Sequence, residues 1–243
     1  MNMKLSRYKH DSEFSYTFGA TLTYELLKTH PELIQRVFLR PNTSYGDELK
    51  AILSEIKRRQ IEIVESTKAF NILGTKENCL LIAEFRKTST PLDPRANHIV
   101  LVNPSDSGNL GTIMRSAVGF GYENLAIITP AVDHFNPKAI RASMGAFAHL
   151  NIAYFDTFDA YMAQYPNRTN YSFMLRHAKP LNEILSQTVS QPYSLVFGNE
   201  AAGLSDNYAD FTTPVFIPQN QKIDSLNLSV AASIAMFEFS NCH

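Results

Sequence analysis

Cysteine is scarce in this sequence, and nothing in it is spaced like a metal site. Only Cys79 and Cys242 occur among 243 residues, and they lie far apart. The seven histidines show no ligand spacing either. This usage argues against a disulfide framework and for a reducing compartment, and it predicts no structural metal.

Long apolar runs are also lacking. No stretch approaches the roughly 18 apolar residues that a membrane-spanning helix needs. The first residues, Met1–Lys9, lack the apolar core of a signal peptide. We therefore expect a soluble, cytoplasmic protein with no membrane partner.

Charge of either sign is nearly balanced, with a net charge of −1. Residues 1–95 hold 15 Lys and Arg against 12 Asp and Glu, a surplus of +3, and residues 96–243 hold 7 against 11, or −4. A surplus this small fits ordinary solvated helices as well as attraction to RNA. Composition alone therefore names no partner.

Three common enzyme signatures are missing as well. No GxGxxG follows the first apolar strand of the C-terminal part, and neither GxxxxGK[ST] nor GxSxG occurs anywhere. These absences disfavour a conventional dinucleotide fold, a P-loop and a hydrolase nucleophile elbow.

The chain divides at Lys87-Thr-Ser-Thr-Pro-Leu-Asp-Pro-Arg-Ala96, where prolines and small polar residues replace periodic pattern. We predict an N-terminal α/β domain over residues 1–90 and a larger domain over residues 97–243. In the first, the pattern predicts helices at 17–28, 47–59 and 67–73 and strands at Ile34–Leu39, Ile61–Val64 and Leu80–Phe85.

The sequence pattern of the second domain predicts short apolar strands that alternate with helices. The predicted strands are Ile99–Val102, Leu125–Ile128, Ile152–Phe155, Ser172–Leu175, Leu195–Phe197 and Val215–Ile217, and the predicted helices span 109–120, 137–147, 157–164, 180–187 and 225–240. Such alternation indicates an α/β fold with a parallel sheet covered on both faces.

Three unusual segments lie in this domain, and the first is Asp106-Ser-Gly-Asn-Leu-Gly-Thr-Ile-Met-Arg115. Its apolar residues recur at helical spacing. Gly108, Gly111 and Arg115 share another face, which two glycines leave bare for close approach by a substrate or a second helix. Asn109 is placed near the helix start, where an amide caps free N–H groups. Taken alone, the segment indicates a capped helix with Arg115 in a surface ion pair.

The second segment, Phe197-Gly-Asn-Glu-Ala-Ala-Gly-Leu204, follows a predicted strand. Gly198 and Gly203 permit a tight backbone whose main-chain groups are able to face a ligand. Glu200 is the only charge between them. It binds free N–H groups at a helix start, orients Asn109 or Arg115, or does both, and we favour such a supporting role over a chemical one.

The third segment is Ile217-Pro218 followed by Ser225-Leu-Asn-Leu-Ser-Val-Ala231. Ser225 is predicted to be the N-cap of the last helix. Asn227 stands out in its first turn because a buried amide needs partners. All three segments place glycines, amides or hydroxyls at the ends of apolar strands, where open α/β sheets bind ligands.

Together the segments resemble the signature motifs of the SpoU-type (TrmH-like) RNA 2′-O-ribose methyltransferases, which are members of the SPOUT (trefoil-knot) superfamily. The family pattern is Asn-x-Gly-x-x-x-Arg, then Gly-x-Glu-x-x-Gly-Leu, then Ile-Pro with Ser-Leu-Asn-x-Ser-x-Ala. This chain supplies Asn109, Gly111 and Arg115; Gly198, Glu200, Gly203 and Leu204; and Ile217, Pro218, Ser225, Leu226, Asn227, Ser229 and Ala231. Arg141-Ala-Ser-Met-Gly-Ala146 also looks like the family, and the match covers residues 97–241.

The resemblance implies a knotted parallel-sheet domain that binds S-adenosylmethionine and methylates a ribose 2′-hydroxyl of RNA, rRNA in preference to tRNA. It implies a homodimer, and it makes residues 1–90 similar to a ribosomal-protein-like RNA-binding domain. The cofactor-binding residues implied are Gly198, Asn199, Gly203, Leu204, Ile217, Gln219, Ser225 and Leu226. The catalytic set implied is Arg115, Asn109, Glu200, Ser225 and Asn227, with Arg115 as base or as electrostatic stabiliser.

The chain departs from the family pattern at two places, where Ser107 replaces a common proline and Gln219-Asn220 replaces Met-Gly. Both lie beside matched positions, so they bear on substrate detail more than on chemistry. Three alternatives stay open: a protein of the same fold that binds without catalysis, a base methyltransferase, and an unrelated α/β enzyme for a small metabolite.

Overall fold

The computed structural model describes residues 5–74, 78–220 and 222–242. By their contacts, these residues form two compact units. One unit combines the chain up to Thr88 with Asp133–Ala148, and the other contains Ser89–Val132 and the chain from His149 onward. Most of Met1–Lys9, on which the signal-peptide argument rests, belongs to the described part, but residues 1–4 do not.

The first unit is built on a four-stranded mixed sheet. Its elements are β1 (Phe14–Phe18), α1 (Ala20–Thr29), β2 (Ile34–Leu39), α2 (Asp47–Arg58), β3 (Glu62–Glu65), α3 (Thr67–Leu73) and β4 (Leu81–Arg86). The strand order is β1-β4-β2-β3, with β4 antiparallel to both neighbours and β2 parallel to β3. Leu49, Ile52 and Ile56 form the buried face of α2, as helical spacing requires.

Strand β1 is a correction to the sequence prediction, which began a helix at residue 17. Phe14, Tyr16 and Phe18 alternate with hydroxyl residues, and this aromatic period-2 pattern favours a strand. Gly19, with φ of 102°, then turns the chain, so α1 begins only at Ala20.

Residues 133–148 pack in the first unit, although the sequence boundaries place them within 97–243. This segment contains α5 (Pro137–Ala142), and the Ser15 hydroxyl donates to the Phe135 carbonyl over 2.6 Å. The predicted helix 137–147 stops at α5 because Met144 and Gly145 both adopt positive φ, at 52° and 96°.

The second unit contains a seven-stranded sheet in which every pairing is parallel. Its order is β7-β6-β5-β10-β8-β11-β9. Its elements are β5 (His98–Val102), α4 (Ser107–Gly119), β6 (Asn124–Ile128), β7 (Asn151–Phe155), α6 (Phe158–Gln164), β8 (Thr169–Phe173), β9 (Lys179–Pro180), α7 (Leu181–Leu185), β10 (Tyr193–Phe197), β11 (Thr213–Phe216) and α8 (Leu228–Ser240).

This sheet confirms the predicted α/β class. Strands β5, β6 and β10 are buried at every residue, which requires cover on both faces. Strands β6 and β7 are added on one side of β5, and β10, β8, β11 and β9 lie on its other side. The side on which strands are added therefore switches between β5 and β10. Ligands of open α/β sheets bind at such a switch point, outside the carboxyl ends of the strands. The trefoil knot itself stays a prediction.

Candidate cofactor and active site

A cavity of about 610 Å³ opens at the carboxyl ends of β8, β10 and β11. This volume suits a ligand of nucleoside size. All eight predicted cofactor-binding residues line it: Gly198, Asn199, Gly203, Leu204, Ile217, Gln219, Ser225 and Leu226. Three loops that are distant in sequence therefore meet around one space.

The wall formed by the second motif is a backbone loop that folds back on itself. Gly203 adopts φ of 66° and donates its N–H to the Asn199 carbonyl over 2.9 Å. A Cβ atom on Gly198 would lie 2.2 Å from the carbonyl carbon of Gly203 and 2.4 Å from the nitrogen of Leu204. No side chain fits there, so the glycine is required by the close return of the chain.

Glu200 connects the second motif to the first. One carboxylate oxygen accepts hydrogen bonds from the Ser105 N–H at 3.0 Å and the Ser105 hydroxyl at 2.7 Å. The other accepts from the Asp106 N–H at 3.1 Å and from the Asn109 amide at 3.4 Å. Burial of Glu200 opposes its ionisation, but the hydrogen bonds from Ser105 and Asp106, with that from its own backbone N–H, outweigh burial and hold its pKa below the ordinary value.

Asn109 in turn connects the first motif to the third. Its amide oxygen accepts from the Asn227 amide over 3.1 Å. The Asn227 oxygen accepts from the Ser229 N–H at 2.8 Å and from the Ser229 hydroxyl at 2.7 Å. A continuous polar chain thus runs from Glu200 through Asn109 and Asn227 to the start of α8.

The direction of every amide in this polar chain is fixed by its two ends. A carboxylate only accepts hydrogen bonds, so Asn109 must turn its NH₂ group toward Glu200. A helix N–H only donates, so Asn227 must turn its oxygen toward Ser229. The remaining contact then pairs the Asn227 NH₂ with the Asn109 oxygen, and no other amide arrangement satisfies all three.

Two predicted helix caps are corrected by this geometry. Asp106, rather than Asn109, caps α4, because its carboxylate accepts from the Asn109 N–H over 2.7 Å. Asn227, rather than Ser225, caps α8, which begins at Leu228 instead of 225. Helix α4 begins two residues before its predicted start and α8 begins three residues after, and in each case the extended residue just before the helix has a side-chain oxygen that accepts a helix N–H.

Arg115 stands apart from the cavity. It is exposed on α4 and does not line the cavity, and among the described residues no hydrogen bond or ion pair holds it. The surface ion pair that the first motif alone suggests does not form within the described chain. Its guanidinium is therefore available to a group outside the described residues.

An apolar surface lies beside Arg115, where α4 and α8 run side by side. The Ser116 and Ser233 hydroxyls join the two helices over 2.7 Å, and Phe120 packs edge-on against Phe237 at 5.7 Å. Helix α8 is apolar almost all round, yet Phe237 is 51% exposed and Val230 is 46% exposed. Monomeric soluble proteins rarely leave such a helix face uncovered.

The sequence prediction missed part of the cavity wall. Phe173, the last residue of β8, and residues 174–176 after it line the cavity, and so do Asp206 and Asp224. What marks the residues at the end of β8 as wall residues is the place of β8 between β10 and β11 in the sheet, which the local sequence pattern does not reveal. Gln219, where the chain departs from the family pattern, donates to the Asp224 carbonyl over 3.2 Å and so ties the loop between them.

No described helix is long and apolar enough to cross a membrane. In the same described ranges, no group of three or more His, Cys, Asp or Glu residues is arranged to hold a metal ion.

The fold is that of SpoU-type RNA methyltransferases. An AdoMet-bound rRNA methyltransferase from Sinorhizobium meliloti superposes with a TM-score of 0.80 over 93% of this chain and 86% of that chain, at 24% identity. The SpoU methyltransferase AviRb from Streptomyces viridochromogenes gives a TM-score of 0.78 over 94% and 89%, at 19% identity.

Sequence comparison assigns the family. The model of the SpoU rRNA Methylase family matches residues 96–237, which is more than half of the chain. This chain belongs to the SpoU rRNA methylase family, which confirms the resemblance seen in the three motifs.

Individual relatives differ in how much of their length is shared. The Bacillus subtilis 23S rRNA (guanosine(2553)-2′-O)-methyltransferase RlmP is 25% identical over 227 residues, which cover 90% of this chain and 85% of that protein. An uncharacterized tRNA/rRNA methyltransferase from Synechocystis is 28% identical over 141 residues, 58% of this chain. This chain matches about half of that relative's length, 51%.

Proposed function

We propose that this chain transfers a methyl group from S-adenosylmethionine to a ribose 2′-hydroxyl of RNA. One observation carries the proposal: the polar chain that starts at Glu200 reaches the third motif beside a cavity lined by all eight predicted cofactor residues. Family membership and relatives named as RNA 2′-O-methyltransferases support the same activity.

The cavity fits the cofactor in size and in chemistry. Its walls combine the main chain of a tight glycine loop with apolar side chains such as Leu204 and Ile217, the mixture that a nucleoside with an aliphatic tail needs. When bound, S-adenosylmethionine supplies a methyl group on a positively charged sulfur. The residues that would hold it are Gly198–Leu204, Ile217, Gln219, Ser225 and Leu226.

Arg115 is the residue that we assign to the reacting hydroxyl. A ribose hydroxyl is a weak nucleophile, and negative charge grows on its oxygen as its proton passes to solvent water and the methyl group moves to it from sulfur, which leaves as a neutral thioether. A charged guanidinium stabilises that oxygen and holds the neighbouring phosphate, and it is a poor base. Arg115 therefore acts as an electrostatic stabiliser.

The remaining four members of the catalytic set position the site. Glu200 and Asn109 lock the start of α4, from which Arg115 projects two turns later. Asn227 fixes the start of α8, and Ser225 lies on the cavity wall immediately before it. We assign Ser225 to orienting the ribose, and the three polar-chain residues to holding the motifs in register.

A homodimer completes this account. Arg115 is exposed and lies outside the cavity of its own chain, while Val230 and Phe237 leave an apolar face on the adjoining helix. Pairing of two copies through this face buries the apolar side chains and brings Arg115 to the cavity of the partner subunit.

The RNA is rRNA in this proposal, and the site of action is the cytoplasm. The Bacillus subtilis relative, whose alignment covers 90% of this chain, is named as a 23S rRNA methyltransferase. Residues 1–90 serve as the RNA-substrate domain and residues 97–243 as the cofactor domain. The small basic surplus of residues 1–95 agrees with this division of roles.

Arg115→Ala separates binding from chemistry. We expect unchanged affinity for S-adenosylmethionine by calorimetry and a loss of about 10²-fold or more in methyl transfer to RNA, the scale of one positioned catalytic group. Transfer within a few-fold of wild type would remove Arg115 from the mechanism.

Mixing two inactive variants tests the shared site. Arg115→Ala lacks the stabiliser, and in Gly198→Ala the added Cβ atom prevents the close return of the cofactor loop. If one subunit supplies Arg115 to the cavity of the other, half of the randomly mixed dimers hold one intact site of two, and about a quarter of wild-type transfer returns. No recovery in a mixture shown to exchange subunits would place both functions within one chain.

A further inference from the structure

An ion pair spans two loops at the wall of the cofactor cavity. Arg176 belongs to the loop that follows β8, and Asp206 follows the second-motif loop after β10. A guanidinium nitrogen of Arg176 lies 3.4 Å from a carboxylate oxygen of Asp206. Both residues line the 610 Å³ cavity, and neither belongs to a family motif.

This pair is weakly held and open to a ligand. The side chains are 77% and 56% exposed, and an ion pair so exposed contributes little to stability. A ligand that offers each side chain a better partner separates the pair at small cost. A purely structural role for the two charges is therefore poorly supported.

Other charged groups of the cavity are less suited to a ligand. Among the described residues that line it, Arg176 is the only one with a positive charge. Glu200 is committed through both oxygens to Ser105, Asp106 and Asn109. Asp224 lines the cavity too, but no ion pair joins it to Arg176 among the described contacts.

We propose that Arg176 and Asp206 bind the amino-acid end of the cofactor, with Arg176 on its carboxylate and Asp206 on its ammonium group. These two charges of opposite sign sit on one carbon atom of the ligand, so they need opposite partners that lie close together. Arg176 and Asp206 meet that need at 3.4 Å. This assignment rests on the proposed function, since it presumes S-adenosylmethionine in the cavity.

Two ligands isolate the amino-acid end. S-adenosylhomocysteine keeps the carboxylate and the ammonium group but has a neutral sulfur, and 5′-methylthioadenosine lacks both charges. We expect Arg176→Gln and Asp206→Asn each to weaken S-adenosylhomocysteine binding by about 10-fold, as loss of one charge-assisted hydrogen bond predicts. Binding of 5′-methylthioadenosine should stay within about twofold of wild type, as expected when its own contacts are intact.

Matched variants control for charge alone. Asp210→Asn makes the same charge change as Asp206→Asn, four residues further along the chain, at an exposed position that does not line the cavity. Arg95→Gln removes an arginine that pairs with Asp93 at 3.7 Å and does not line the cavity. Both should leave S-adenosylhomocysteine affinity within about twofold, in line with surface substitutions away from a contact.

Each other result has a distinct meaning. If wild type binds neither ligand, the cofactor assignment falls and the proposed function falls with it. If wild type binds both but the two variants bind S-adenosylhomocysteine normally, the inference about Arg176 and Asp206 is overturned and the proposed function stands. Equal losses for both ligands would show that the pair shapes the adenosine site, and weaker RNA binding with normal cofactor affinity would assign Arg176 to a phosphate. Either result overturns the inference.

Discussion

Asn109→Asp tests the polar chain most sharply, because it changes one NH₂ group to an oxygen and leaves the shape of the side chain intact. In the wild type that NH₂ group lies 3.4 Å from the Glu200 carboxylate. The variant places a second carboxylate at the same distance. The opposite end of the side chain still accepts from Asn227, so only the contact with Glu200 is reversed.

The size of the effect follows from distance and exposure. Two unit negative charges 3.4 Å apart repel by about 1 kcal/mol in water and by about 5 kcal/mol at an effective dielectric constant of about 20. Loss of the hydrogen bond adds about 1 kcal/mol. Since both side chains are half-buried, we expect Asn109→Asp to lower the free energy of unfolding by about 2 to 4 kcal/mol at pH 8.

The penalty has a defined pH dependence. Repulsion raises the pKa of one of the two carboxyl groups in the folded variant, so the folded state binds a proton more readily than the unfolded state does. The penalty is therefore full above that raised pKa and disappears as the pH falls toward about 4, where the unfolded carboxyls also protonate.

Urea unfolding at several pH values, followed by circular dichroism, measures this penalty. In a double-mutant cycle, Asn109→Asp should lower the free energy of unfolding by about 1 to 3 kcal/mol less in the Glu200→Gln background than in the wild type. Asn182→Asp makes the same substitution at an exposed position of α7 and should change stability by less than about 0.5 kcal/mol. A penalty that is small, independent of pH and unaffected by Glu200→Gln would refute the polar chain.

Two further predictions follow from the second unit. Gly198→Ala should abolish cofactor binding in a calorimetric titration, because its Cβ would meet the backbone of Gly203 at 2.2 Å; Gly119→Ala, where nothing lies within 4 Å, should bind normally. Burial lowers the pKa of His98 to about 4, while the unfolded histidine protonates near 6.5, so stability should fall as the pH drops between those values, by up to about 3 kcal/mol. His98→Gln should remove that part of the pH dependence in urea unfolding, and an unchanged slope would show that His98 is not buried in its neutral form.

Much of the second unit was predictable because its strands are short, apolar and evenly interrupted by helices. The prediction at Leu195–Phe197 falls within β10, and the prediction at Leu125–Ile128 falls within β6. The strand predicted at Ser172–Leu175 lies at Thr169–Phe173 instead. The strand begins with polar Thr169 and Asn170, which a search for apolar runs does not detect. Pairing with β10 determines where this strand begins and ends, and hydrophobicity does not.

The residues of the candidate site were predictable, but their connections were not. Motif spacing selects Asn109, Glu200 and Asn227 and does not say which one caps a helix or which amide end faces which partner. Those facts depend on the pairing of β10 with β5, which brings together residues about 95 positions apart. The loop after β8 was missed for the same reason, since no local pattern marks its place in the sheet.

The measurement that tests the central claim most directly is the location of the transferred methyl group. Purified protein is incubated with methyl-labelled S-adenosylmethionine and unmodified RNA, and the RNA is then hydrolysed with alkali. A ribose methylated at its 2′-oxygen cannot cyclise, so this account predicts label in alkali-resistant dinucleotides, and its loss in Arg115→Ala. Label released in mononucleotides would mean base methylation. Binding of the cofactor without transfer to any RNA, ribosomal particles included, would mean a protein that binds without catalysis. Either result would contradict the account.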